Sequence, residues 1–194
     1  SDHTQGNWNG IVGRIELTAT ATAWIAELQV YPQVASRTVR VIGQVRGADL
    51  PPAVRIAVEG AGGLSPARLE QSGNTRREPS PEEVRVNPAT GSFECTVELG
   101  ATAALWDEFS PALHRLTAAL PNGEARTVAF GLCEIATEGT QFLINGRKTF
   151  FRGTLDCANY PRTGHPPTDV AEWRRVIGVA KAHGLNLIRF QSWC

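Results

Sequence analysis

The residues of this chain best suited to chemistry stand just beyond two apolar runs near its end. Asp156, Asn159 and Tyr160 follow the run from Thr149 to Leu155; Gln191, Ser192 and Trp193 follow the run from Leu185 to Phe190. A carboxylate, two amides, two hydroxyls and an indole combine donors, acceptors and a flat apolar face. Such a set suits the wall of a subsite for a ring bearing many hydroxyls, as a sugar does. The same residue types also serve as ordinary loop and helix-cap residues, and both readings stand at this level. Arg189 lies inside the second run, where a buried guanidinium requires a carboxylate partner.

Other chemistries find no support. His3, His114 and His183 are separated by long stretches, and none of them pairs with a carboxylate at helical spacing. The cysteines at 95, 133, 157 and 194 include no pair spaced as zinc ligands. Gly60 to Gly63 lacks the Lys-Ser/Thr of a phosphate-binding loop, and no dinucleotide fingerprint or nucleophile elbow occurs. No metal and no cofactor is therefore expected. Cys95 and Cys133 fall in predicted strands and read as small buried hydrophobes in preference to a disulfide. Cys157 and Cys194 follow two strands that would be neighbours, so a bridge there stays open in an oxidising compartment.

Composition narrows the partners. With 194 residues, 42% of them hydrophobic, the chain can bury a sizeable core. A formal net charge of zero argues against nucleic acid or an anionic membrane as the main partner. The cations are nearly all Arg, with Lys only at 148 and 181. No apolar run reaches the roughly 18–20 residues of a membrane span. The chain contains no Met, and its opening Ser-Asp-His-Thr-Gln reads as a cut piece without a signal peptide.

The elements that must position these residues fall into two styles. From about residue 22 the pattern alternates, predicting strands over 24–30, 38–45, 54–58, 92–99, 113–120 and 125–130. Val39, Val41 and Gly43 share one face of the second; Phe93, Cys95, Val97 and Leu99 share one face of the fourth. Roughly seven short strands over about 100 residues is the pattern of an immunoglobulin-like sandwich. Residues 60–88, rich in Gly, Pro, Ser and charge, read as a long surface loop. Asn145-Gly146 marks a hairpin with a type I′ turn. Then come a buried strand (149–155), an amphipathic helix (168–183) capped by Thr168 and stopped by Gly184, and a second buried strand (185–190). Val170, Trp173, Ile177 and Ala180 form the helix's apolar stripe. One such βαβ unit leaves open edges and faces, which predicts a fragment of a larger parallel sheet. Its stripe is expected to dock on the sandwich or to pair with another copy of the chain.

Three stretches, in order, resemble one family: the glycoside hydrolases of family 2, which include β-galactosidases and β-glucuronidases. Gly10 to Leu17 resembles the last strand of that family's sugar-binding jelly roll. Leu105-Trp106 with Ser110-Pro-Ala-Leu-His-Arg-Leu116 resembles a segment of its immunoglobulin-like middle domain, with His114 where Tyr is usual. Phe142 to Gly153, continued by Thr163-Gly-His165 and Asn186-Leu-Ile-Arg189, resembles the opening of its catalytic (β/α)8 barrel. Departures stand at Gly131-Leu-Cys133, at Asp156-Cys157-Ala158-Asn159 and at Phe190 to Cys194.

The resemblance implies a mainly β chain: residues 1–17 as the last jelly-roll strand, 18–137 as an immunoglobulin-like β-sandwich, and 138–194 as a hairpin with the first βαβ unit of a truncated (β/α)8 barrel. Barrel enzymes hold substrate at the C-terminal ends of their strands. Asp156, Asn159, Trp193, Arg189 and Gln191 are then the candidate substrate contacts. Arg189 stands either near the catalytic carboxylates or in an internal barrel salt bridge; Arg152 is expected to be structural. The family's acid/base and nucleophile glutamates lie on later strands, so no residue of this chain is assigned a catalytic role. The parent would act on a β-linked oligo- or polysaccharide, and a secreted or periplasmic setting is an expectation for that parent only. The alternative is a carbohydrate-binding or domain-interaction sandwich, whose sugar platform would be an exposed Trp24, Trp106 or Trp193.

Overall fold

A computed structural model describes residues 10–11, 13–60, 82–157 and 160–190. Contacts divide the chain into two units: Ala19–Lys148, and a second formed by the segment from Thr149 onward with the residues up to Thr18.

The first unit is built on alternation. β1 (Ala23–Gln33), β2 (Thr38–Gly47) and β3 (Ala53–Glu59) are followed by β4 (Glu82–Arg85) and β5 (Ser92–Glu98). β6 (His114–Ala119) and β7 (Ala125–Phe130) complete two antiparallel sheets, ordered β1-β2-β5 and β4-β3-β6-β7. Every second side chain points inward. Ile25, Val39, Val41 and Val45 of one sheet thus share a buried core with Val54, Ile56, Leu116 and Ala118 of the other, the arrangement of a β-sandwich. Each Val, Ile or Leu among them, fully buried, contributes about 1.5–3 kcal/mol through the area it removes from water.

Gly43 lies opposite Phe93 in the β2–β5 register. A Cβ on Gly43 would stand 2.0 Å from the Phe93 Cζ, so the missing side chain is the space that the ring fills. The sheet edges meet through polar ties: the Arg126 guanidinium donates to the Ala26 carbonyl at 2.6 Å, beside an irregularity in β1 between Ile25 and Glu27.

A small sheet of β8 (Ile135–Glu138), β9 (Gln141–Ile144) and β10 (Arg147–Thr149) follows. Its turn residues Asn145 and Gly146 have φ of +51° and +75°, as a type I′ turn requires. The Asn145 side chain fastens the turn: Oδ1 accepts from the Glu134 N–H at 2.8 Å, and Nδ2 donates to the Trp106 carbonyl at 2.8 Å.

The second unit contains β11 (Gly153–Asp156), α1 (Val170–Ala182) and β12 (Leu187–Phe190), with β11 and β12 paired in parallel. The mainly β character and the strand–helix–strand order are as expected. Several details differ. The helix is capped by Asp169, not Thr168: Asp169 Oδ1 accepts from the Glu172 N–H at 2.8 Å. Gly184, at φ +75°, follows the helix end as predicted. Neither strand is buried, and α1 has no buried residue: Leu155 is 49% exposed, Ile177 44% and Leu187 44%. Two strands and one helix cannot cover three apolar faces.

Three further details differ from expectation. The described residues of 10–17 form no strand and pair with none of the described strands, and Ile15 and Leu17 are exposed. Glu82–Arg85, assigned to a loop, is β4, held by its pairing with β3. Cys133 lies between β7 and β8 and not in a strand.

Candidate functional site

Both strands of the β11–β12 pair point their C-terminal ends the same way, and Asp156 faces Phe190 there in register. Asp156 is half-buried. The Tyr160 hydroxyl donates to Asp156 Oδ2 at 2.7 Å. Burial, and next this hydrogen bond to a carboxylate, push the Tyr160 phenol up to about 12. At neutral pH it is therefore a committed donor.

Tyr160 is itself held. Its ring meets the edge of Trp173 of α1, with centroids 6.3 Å apart and planes at 71°. Trp173 in turn meets Phe190 of β12 at 5.6 Å and 84°. These are edge-to-face geometries, the favoured arrangement for aromatic pairs. The Trp173 indole N–H donates to the Pro167 carbonyl at 2.8 Å, fixing the loop that leads into the helix. His165 Nδ1, in the same loop, bonds the carbonyl of Pro166 at 2.7 Å.

At the opposite ends of the strands, the Arg152 guanidinium donates through Nε to the Gly184 carbonyl at 2.7 Å. This is the structural role expected for Arg152. Asn186, assigned no role from sequence, binds the same segment twice through its side chain.

Of the five candidate contacts, the structure describes two. Asp156 is at the strand end, as expected. Arg189 pairs in register with Leu155, but its side chain is exposed and has no carboxylate partner among the described residues. Its apolar neighbours in β12 are themselves uncovered, so no desolvation demands a counter-ion in this segment; the roles expected for Arg189 belong to a closed barrel. Asn159, Gln191 and Trp193 lie outside the described residues, as does the Cys157–Cys194 bridge. Trp173 and Phe190 were legible only as core aromatics; Tyr160, four residues after Asp156, was the available signal.

No disulfide joins Cys95 to Cys133 among the described residues. Cys95 packs beside the sandwich core, and burial pushes the Cys133 thiol up, away from its reactive thiolate form. His114 is 2% exposed, stacks on Phe130 at 5.3 Å, and its Nε2 bonds the Ala104 carbonyl at 2.9 Å. Among the described residues no cluster of His, Cys, Asp and Glu could hold a metal ion, and no helix is long and apolar enough to cross a membrane. A shallow groove of about 330 Å³ on the sandwich is lined by Ile42, Arg85 and Phe93; its carboxylate, Glu94, is engaged by Arg40 at 2.6 Å.

Solved structures share this fold. A β-glucuronidase from Bifidobacterium dentium, complexed with coumarin-3-O-glucuronide, aligns at a TM-score of 0.63 and 20% identity, over 89% of this chain and 28% of that one. A family 2 glycoside hydrolase, the β-galacturonidase from Eisenbergiella tayi bound to galacturonate, aligns at 0.62 and 20%, over 89% and 29%. A β-glucuronidase from Parabacteroides merdae aligns at 0.60 and 16%, over 89% and 22%. No protein-family model matches the chain. The chain thus has the fold of a stretch within these glycoside hydrolases and spans less than a third of their length.

Proposed function

We propose that this chain is a non-catalytic segment of a retaining glycoside hydrolase acting on a β-linked oligo- or polysaccharide. One observation supports it most: a sandwich followed in sequence by a parallel strand–helix–strand unit, in a fold shared with β-glucuronidases over 89% of the chain. In this reading the sandwich is the immunoglobulin-like middle domain, and β11–α1–β12 opens a (β/α)8 barrel. The exposed Leu155, Val170, Ile177 and Leu187 would be covered by the remaining barrel units.

The chemistry divides accordingly. A retaining hydrolase needs an acid/base carboxyl and a nucleophilic carboxylate about 5–5.5 Å apart. Both would come from later strands. This segment would supply part of the sugar-holding rim at the strand ends: Asp156, with Asn159, Gln191, Trp193 and Arg189 as the further candidates. Uncovered in this chain, Arg189 would gain a carboxylate partner or a substrate contact only in the closed barrel.

The alternative of a self-sufficient carbohydrate-binding module has less support. Trp24 and Trp106 are half-buried, and Trp106 lies so close to Gly131 that an added Cβ would stand 2.8 Å from its ring. The Trp106 ring is thus covered on the side of Gly131, and Trp193 lies outside the described residues. The test is an assay against aryl β-glycosides, β-glucuronides and β-galacturonides first, because those are the substrates in the neighbours' names. The 194-residue chain is expected to show no turnover. Robust turnover by it would overturn the proposal.

A further inference from the structure

Asp156, Tyr160, Trp173 and Phe190 form a closed circuit. Asp156 and Phe190 are register partners on adjacent strands. Phe190 packs on Trp173, Trp173 on Tyr160, and Tyr160 returns to Asp156 through its hydroxyl. Each member comes from a different piece of chain: the end of β11, the loop after it, the first turn of α1 and the end of β12. A carboxylate at a strand end has two free torsions and, by itself, no fixed aim. Here one of its oxygens is held by a donor whose ring is wedged by an indole, and that indole is anchored to the Pro167 carbonyl.

We infer that Tyr160 is a positioning residue for Asp156, and that α1, through Trp173, sets where the Asp156 carboxylate points. This rests on the reading that the strand ends face a sugar, and adds to it the part that aims the carboxylate. Tyr160 acts through Asp156 and touches no substrate. Its phenol must be protonated to donate, as a tyrosine already is across the physiological range. A preorganised acceptor loses little freedom when a sugar hydroxyl donates to it, so the gain falls on binding.

Two readouts separate this inference from the reading beneath it. The chain has two tyrosines, at 31 and 160, so Tyr31→Phe leaves Tyr160 as the sole phenol. Its alkaline absorbance titration is expected near 12, and adding Asp156→Asn should lower the midpoint, because a neutral acceptor no longer opposes phenolate formation. An ordinary midpoint near 10, or the same midpoint with and without Asp156→Asn, overturns the pair. In the longer protein carrying this segment, Tyr160→Phe and Asp156→Asn should each raise KM for a bound glycoside about tenfold, and the double variant no more than either alone. Loss with Asp156→Asn but not with Tyr160→Phe overturns the positioning role. No loss with either, beside the expected titration, overturns the strand-end site and leaves the hydrogen-bonded pair in place.

Discussion

The main-chain N–H of Arg152 donates to Asn186 Oδ1 at 2.7 Å, and the main-chain N–H of Asn186 donates back to the Arg152 carbonyl at 3.0 Å. The starts of the two parallel strands are thus stapled by one residue pair, while Asn186 Nδ2 adds a bond to the Phe150 carbonyl at 3.2 Å. Register in a two-stranded parallel pair is otherwise weakly specified. Asn186→Ala removes both side-chain bonds and should cost the strand pair about 1–2 kcal/mol. Amide hydrogen exchange should quicken over residues 187–190 and stay unchanged in β2 and β6. Unchanged exchange in 187–190 would contradict the staple.

Gly43 and Phe93 define a second tight spot. Gly43→Ala drives a methyl into the ring and should destabilise the sandwich by about 1–3 kcal/mol. Phe93→Leu, itself costly, should suppress part of the Gly43→Ala penalty. A double-mutant cycle by denaturant unfolding reads the coupling; strict additivity would mean that the ring does not fill this space.

The turn at Asn145 carries backbone strain and two side-chain bonds. Asn145→Ala loses both bonds and places a side chain less tolerant of φ +51° at that position. Thermal unfolding should show a loss of about 1–3 kcal/mol, whereas Asn145→Gly should recover the backbone part alone.

Two exposed ion pairs give the pH dependence a definite sign. Hydrogen bonding to Arg40 holds Glu94 below the ordinary glutamate range, and Arg175 does the same for Glu172. A carboxyl depressed on folding contributes stability above its unfolded value and loses it as pH falls through its folded value. Arg40→Gln should raise the Glu94 titration midpoint, read by carbon NMR of the carboxyl. The difference in melting temperature between the parent chain and Arg40→Gln should fade with acid and with salt. A midpoint unmoved by the substitution would contradict the pairing.

How much was legible in sequence follows from what alternation and spacing encode. The six predicted sandwich strands are all present, because Val39, Val41, Leu116 and their neighbours mark a buried face every second residue. β4 was missed because it offers only Val84 for that face and follows a run of Pro and Glu. The strand–helix–strand order was readable from the apolar runs and Gly184. Burial there was not: apolar residues record what a surface is meant to meet, not whether its cover is present. Arg189 is exposed for the same reason. Asp156 could be singled out by its strand-end position, but its link to Tyr160, Trp173 and Phe190 depends on how α1 lies on the strand pair.

The most direct measurement follows the anomeric configuration of the first-formed sugar by proton NMR, in parallel for the 194-residue chain and for the longer protein that carries it. The longer protein is expected to release the β-anomer from a β-glycoside, by two displacements on paired glutamates, and the chain alone is expected to release nothing. An α-anomer as first product, or sugar released by the chain alone, would contradict its assignment as a non-catalytic segment of a retaining hydrolase.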